Sequence, residues 1–173
     1  MSPSNPPAAP SPLSLEQQIC YAMHTTVRAF DGVYRELLAE HGLSYPQYIA
    51  LMALGEHGPV TVGELGRLMR LDSGTLSPLL KRMQAAGLVV RERDPEDERR
   101  VVVGLTAAGR ERLDALTGLP TTIAERSGLS REEMHELHRV LRTVAERLDA
   151  VTAQASGVRW PASGDRRQVT GVR

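Results

Sequence analysis

Between Gly87 and Thr106 the hydrophobic pattern of this chain changes. Two β-branched runs stand there, Leu88-Val89-Val90-Arg91-Glu92-Arg93 and Val101-Val102-Val103-Gly104-Leu105, separated by a charged loop from Asp94 to Arg100. Asp94-Pro95 opens a turn, so the two runs read as an antiparallel hairpin. Everything flanking them reads as helix. A mainly α chain with one small β-hairpin follows, and the order of the helices around that hairpin narrows the fold further.

The first helix is expected from Ser14-Leu-Glu-Gln17, a capping box, with Leu15, Ile19, Ala22, Met23, Val27, Phe30, Tyr34, Leu37 and Leu38 at helical spacing until Gly42. Its expected length is about 26 residues. Pro46 suits the first turn of a second helix carrying Tyr48, Ile49, Met52 and Ala53, which breaks at Gly58-Pro59. Thr61-Val-Gly-Glu64 is a second capping box, opening a short helix with Leu65, Leu68 and Met69. After a turn at Leu71-Asp72-Ser73-Gly74, a fourth helix holds Leu76, Leu79, Leu80 and Met83 and ends at Gly87. Pro78 requires either a late start or an irregular first turn in that helix. Helix, helix, hairpin in this order is a winged helix-turn-helix, here about residues 45–105. Thr106 caps a further helix to about Leu116, which Gly118 and Pro120 interrupt. Ser130-Arg-Glu-Glu133 opens a last helix whose Met134, Leu137, Leu141, Val144 and Leu148 form the narrow stripe of a helix–helix seam. The expected organisation is a single domain over 13–154, with outer helices 14–41 and 106–154 and disordered tails at 1–12 and 155–173.

Composition removes other classes. The single cysteine, Cys20, forbids an internal disulfide and a Cys-rich zinc module, and it fits a reducing compartment, so the cytoplasm is expected. Met1 to Pro12 lacks the features of a signal peptide, and no apolar run approaches a membrane span. Twenty-one basic side chains balance 21 acidic ones, so any nucleic-acid surface must come from placement rather than excess charge.

Placement supplies one. Ser73, Thr75, Ser77, Lys81 and Arg82 fall opposite or beside the apolar face of the fourth helix, where short polar groups and cationic donors suit base edges and phosphates in a major groove. Arg99 and Arg100 end the hairpin loop, placed for a minor groove. The acidic Asp94, Glu96, Asp97 and Glu98 would repel phosphate unless they orient those arginines, with Asp97 the expected partner of Arg99. The same pattern also suits a solvated helix face in a protein-interaction module.

Cys20 has two readings, a buried inert thiol or a reactive one. Tyr34 is 14 residues along the same helix, about 21 Å away at 1.5 Å per residue. It cannot touch its own Cys20 if the helix is continuous, and Tyr45 lies beyond the helix end. Either hydroxyl could serve the thiol only across two subunits with antiparallel first helices. The histidines His24, His41, His57, His135 and His138 suggest no metal set.

The runs Leu43-Ser-Tyr-Pro-Gln-Tyr48, Leu71-Asp-Ser-Gly-Thr-Leu-Ser-Pro-Leu-Leu-Lys-Arg82, Gly87-Leu88 and Asp94-Pro-Glu-Asp-Glu-Arg99 closely resemble the MarR family of dimeric winged-helix regulators. The resemblance covers about residues 14–150. Tyr45-Pro-Gln-Tyr48 with Leu71-Asp-Ser-Gly-Thr75 and an early cysteine is similar to the organic-hydroperoxide-sensing branch, OhrR. That resemblance implies a homodimeric repressor on a palindromic operator in double-stranded DNA, controlling a hydroperoxide-resistance thiol peroxidase, with helices 14–41 and 106–154 for dimerisation. It implies that Cys20 is the reactive cysteine and that Tyr34 and Tyr45 of the other subunit bond its thiolate. His24 stands where some sensors carry a third tyrosine, and no second cysteine is present to resolve an oxidised first. The chain then belongs to the one-cysteine type, induced by an organic hydroperoxide and completed by a low-molecular-weight thiol, with no cofactor and no metal. Two other readings remain open. One keeps Cys20 structural and releases DNA through a small phenolic or aromatic ligand; the other is a thiol peroxidase turning over at Cys20.

Overall fold

The computed structural model describes residues 14–156 except Glu96 and Glu98. The tail expected over 1–12 lies outside the described residues, as does the tail expected over 155–173 from residue 157 onward. Seven helices and three short strands follow in the order α1 (Ile19–Ala39), α2 (Tyr45–His57), β1 (Val60–Thr61), α3 (Val62–Met69), α4 (Ser73–Ala85), β2 (Val89–Arg93), β3 (Val101–Leu105), α5 (Ala107–Asp114), α6 (Leu119–Ser127) and α7 (Arg131–Ser156).

The expected antiparallel hairpin is present, with Val89 opposite Leu105 and Arg93 opposite Val101. It gains a third strand, because Val60 and Thr61 pair antiparallel with Val103 and Val102. Two residues carry no detectable period, so this strand is invisible without its partner. The sheet order is β1-β3-β2.

Local capping shapes the helix-turn-helix. Thr61 accepts a hydrogen bond from the Glu64 amide at 3.1 Å and starts α3. Asp72 accepts from the Thr75 amide at 3.0 Å and starts α4 at Ser73. The expected turn therefore stops at Asp72, and Pro78 sits inside a regular helix rather than delaying it. At the other end Gly87 adopts φ +71, while the Gly87 and Leu88 amides bond the Gln84 and Met83 carbonyls at 2.9 and 3.0 Å. That pairing satisfies two terminal carbonyls and turns the chain into β2.

Three expectations are corrected. Ser14 makes no side-chain cap; Leu15–Gln17 forms one 3₁₀ turn, and α1 starts at Ile19 and runs 21 residues. Leu15 and Ile19 are exposed, so no packing sustains an earlier start. Gly118 and Pro120 do not merely interrupt: Pro120 lies in the first turn of α6, where its missing N–H costs nothing, and Leu119 and Ile123 are buried. The last helix continues through Ser156, so Ala155 and Ser156 are helical rather than the start of a tail. The Ser130–Glu133 capping box forms as expected, at 2.8 and 3.2 Å.

The core gathers Leu51, Leu54, Leu65, Leu76, Leu80, Met83 and Val103 from α2, α3, α4 and β3. No described helix is long and apolar enough to cross a membrane.

Candidate functional site

Helix α4 separates its two faces cleanly. Leu76, Leu79, Leu80 and Met83 are buried, whereas Ser73, Thr75, Lys81 and Arg82 are exposed and Ser77 is half-buried. Among the described residues no acid pairs with Lys81 or Arg82, so both cations are available at the surface. Thr75 is different: its hydroxyl donates to Asp72 Oδ2 at 2.9 Å. Hydroxyl and amide together hold the Asp72 carboxyl below its ordinary range. Pro78, which the sequence treated only as a problem for the helix, is exposed beside Ser77 and adds an apolar group to the polar face.

The hairpin tip is a closed turn. The Asp94 amide bonds the Arg100 carbonyl at 2.9 Å, and the Arg100 amide bonds the Asp97 carbonyl at 2.8 Å. Asp97 is indeed the partner of Arg99, but through the main chain: its Oδ1 accepts from the Arg99 amide at 3.1 Å. The short aspartate side chain reaches a backbone amide two residues on more readily than it reaches a guanidinium. Arg99 and Arg100 are exposed, and among the described residues neither guanidinium is in an ion pair. The expected contributions of Glu96 and Glu98 lie outside the described residues.

Cys20 is exposed on α1. Because α1 begins at Ile19 and not at the expected Ser14 cap, the thiol sits in its first turn. The buried reading does not hold within one chain. Helix α1 is continuous from Cys20 to Tyr34, so the separation of about 21 Å stands. His24, one turn after the cysteine, is exposed as well.

The tyrosines meet at the other end. Tyr34 and Tyr45 have ring centroids 4.6 Å apart, and Tyr48 lies 6.0 Å from Tyr34. Ser44 and Gln47 fix the start of α2 that presents Tyr45, the Ser44 amide bonding Gln47 Oε1 at 2.8 Å. Burial pushes the Tyr34 phenol up to about 12, with Tyr45 and Tyr48 adding to it. Burial also raises Tyr45, helped by the negative Asp31, and raises Tyr48. All three therefore stay protonated donors near neutrality. Tyr48 was not expected in this cluster; its spacing from Tyr45, three residues along a helix, was the available signal. Among the described residues no group of histidine, cysteine and acidic side chains could hold a metal.

An exposed polar helix, a basic-tipped wing and a lone exposed cysteine about 21 Å from a proton-donating tyrosine cluster define a winged-helix DNA-binding regulator. The MarR family profile matches residues 41–100. A transcriptional regulator of Methylorubrum extorquens, TtmR, is 41% identical over 90% of this chain and 78% of its own. The organic hydroperoxide resistance transcriptional regulator of Bacillus subtilis is 40% identical over 79% of this chain and 92% of its own. Reduced AbfR, solved bound to DNA, is 32% identical with a TM-score of 0.64, over 78% of this chain and 94% of that one. The chain belongs to the MarR family and is a transcriptional regulator rather than an enzyme.

Proposed function

We propose that this regulator represses as a homodimer on a palindromic operator and is released when an organic hydroperoxide oxidises Cys20. The observation that carries the reading is the pairing of an exposed Cys20 with a protonated Tyr34–Tyr45 cluster about 21 Å away. Within one chain neither has a use for the other. A second copy with its α1 antiparallel brings each thiol to the partner's tyrosines, whose hydroxyls then donate to the thiolate. The 40% identity to the hydroperoxide-resistance regulator supports the same assignment.

The thiolate sulfur attacks the distal oxygen of the hydroperoxide, the O–O bond breaks, and the alkoxide leaves and takes a proton to become the alcohol. Cys20 becomes a sulfenic acid. A low-molecular-weight thiol then displaces water from it, leaving a mixed disulfide, since this chain has no second cysteine. The added bulk separates the thiol from Tyr34 and Tyr45 and shifts α1 against α7. The recognition helices then no longer fit half-sites about 34–36 Å apart. In the DNA-bound state Ser73, Ser77, Lys81 and Arg82 face the major groove, and Arg99 and Arg100, on the turn Asp97 holds, face the minor groove. Thr75 acts first as the residue that fixes the helix start.

Intact mass spectrometry beside an operator-binding assay tests the switch. Hydroperoxide with a small thiol adds one thiol mass per subunit and releases DNA, while Cys20→Ser binds DNA and is not released. Release of Cys20→Ser as readily as wild type sinks the mechanism.

A further inference from the structure

Arg91 is the one polar side chain in the described structure with a buried atom lacking any hydrogen-bond partner: its Nε. It lies in the middle of β2, directly opposite Val103, which is fully buried. Residues opposite one another in an antiparallel pair present their side chains on the same sheet face, so Arg91 stands on the core side. Along that face Val89 is buried, Arg91 is half-buried and Arg93 is exposed, which places Arg91 where the core runs out toward the wing tip. Helix α4 packs against the same strand. No described acid forms an ion pair with it, and Glu92 beside it points to the other face.

A guanidinium donor held in a dry place without an acceptor is costly, and a leucine or methionine would cover the end of the core without that cost. The position acquires a reason when DNA is placed. A major groove and its neighbouring minor groove are separated by one sugar–phosphate strand. If α4 occupies the first and the Asp94–Arg100 tip the second, that strand must cross the notch between α4 and the wing, over Arg91. We infer that Arg91 is a phosphate clamp for the strand between the two grooves, its fork of N–H donors matching the phosphate oxygens. This rests on the DNA-binding reading above and adds a residue to it. Arg91 fixes register and supplies affinity; it does not read sequence.

The test uses the full chain, a preferred duplex selected from a random library, and an unrelated duplex, with binding followed across salt concentrations. Arg91→Met keeps the stem and removes the donors. It is expected to weaken both duplexes by the same factor, about ten-fold, and to lower the slope of log affinity against log salt by about 1.8, because the dimer loses two phosphate contacts. Its denaturation midpoint should equal or exceed that of wild type, because the unpaired donor is gone. Arg91→Lys, with the charge retained, should keep most of the slope. An unchanged slope in Arg91→Met, or a loss confined to the preferred duplex, overturns the clamp. Wild type that binds neither duplex overturns the DNA-binding reading instead, a separate result.

Discussion

Leu80 and Leu148 are the same side chain on amphipathic helices of one protein, and they meet opposite surroundings: 0% and 59% exposed. The contrast holds for whole regions. From Leu43 to Val103, α2, α3, α4 and the sheet bury leucines, a methionine and valines against each other, and their helix ends are capped by Thr61, Asp72 and Gly87. Helix α1 buries only Leu38, at its far end, and the described side chains of α7 include no buried residue. Ile19, Val27, Leu148 and Val151 are all more than half exposed. The winged-helix part is packed within one chain, whereas α1 and the last helix present apolar faces that the described residues do not cover.

Truncating the two leucines sharpens the contrast most. Leu80→Ala removes a fully packed side chain and is expected to cost about 3 kcal/mol of unfolding free energy at every protein concentration. Leu148→Ala, measured where subunits are separate, should stay within about 0.5 kcal/mol. At high concentration it should instead weaken self-association. Urea denaturation at two concentrations, with sedimentation, checks both. A large, concentration-independent loss for Leu148→Ala would break the distinction between the regions.

The same contrast decides what could be read from sequence. Thr61, Thr106, Ser130 and Gly87 were legible because a cap is settled by neighbours three residues away: Thr106, for example, accepts from the Gly109 amide at 3.0 Å. The Ser14 box had the right residues and failed, because Leu15 and Ile19 find nothing among the described residues to pack on. Helix α6 was hidden by Pro120, a breaker in the middle of a helix and a starter in its first turn. In the sites, Cys20, Tyr34 and Tyr45 were named through family resemblance, since a 4.6 Å ring contact between α1 and α2 leaves no local pattern. Thr75 shows the limit of face assignment: its exposed position was legible, but its hydroxyl's engagement with Asp72 was not.

An ion pair joins the two regions. Arg70, at the C-terminus of α3 with φ 54, holds Asp149 of α7 through two nitrogens, at 2.6 and 3.2 Å. Two residues after Arg70, Asp72 sets the start of α4, so the ion pair ties the last helix to the corner that aims the recognition helix. Asp149→Asn should change stability by less than about 1 kcal/mol, since both partners remain partly solvated. Its expected effect is on geometry: duplexes with half-sites moved by one base pair should be bound nearly as well as the preferred spacing. Retention of the wild-type spacing preference would show that α7 and α4 are aligned without this pair.

The effect confined to the most alkaline conditions lies at the junction of the regions, in Tyr34. Its phenol is pushed up to about 12 from 10.0, chiefly by burial. Between those values the unfolded chain has lost the proton that the folded chain keeps, so the folded state binds more protons and stability falls as pH rises. The contribution is fully present below pH 10 and is lost by about 12. Tyr34→Phe should flatten the decline over that window without abolishing it, because Tyr45 and Tyr48 are also raised. A pH series of urea midpoints for the two proteins measures the difference. An equal slope would mean that Tyr34 is solvated in the folded chain, and the proton-donating cluster would then belong to the unfinished region rather than to the packed one.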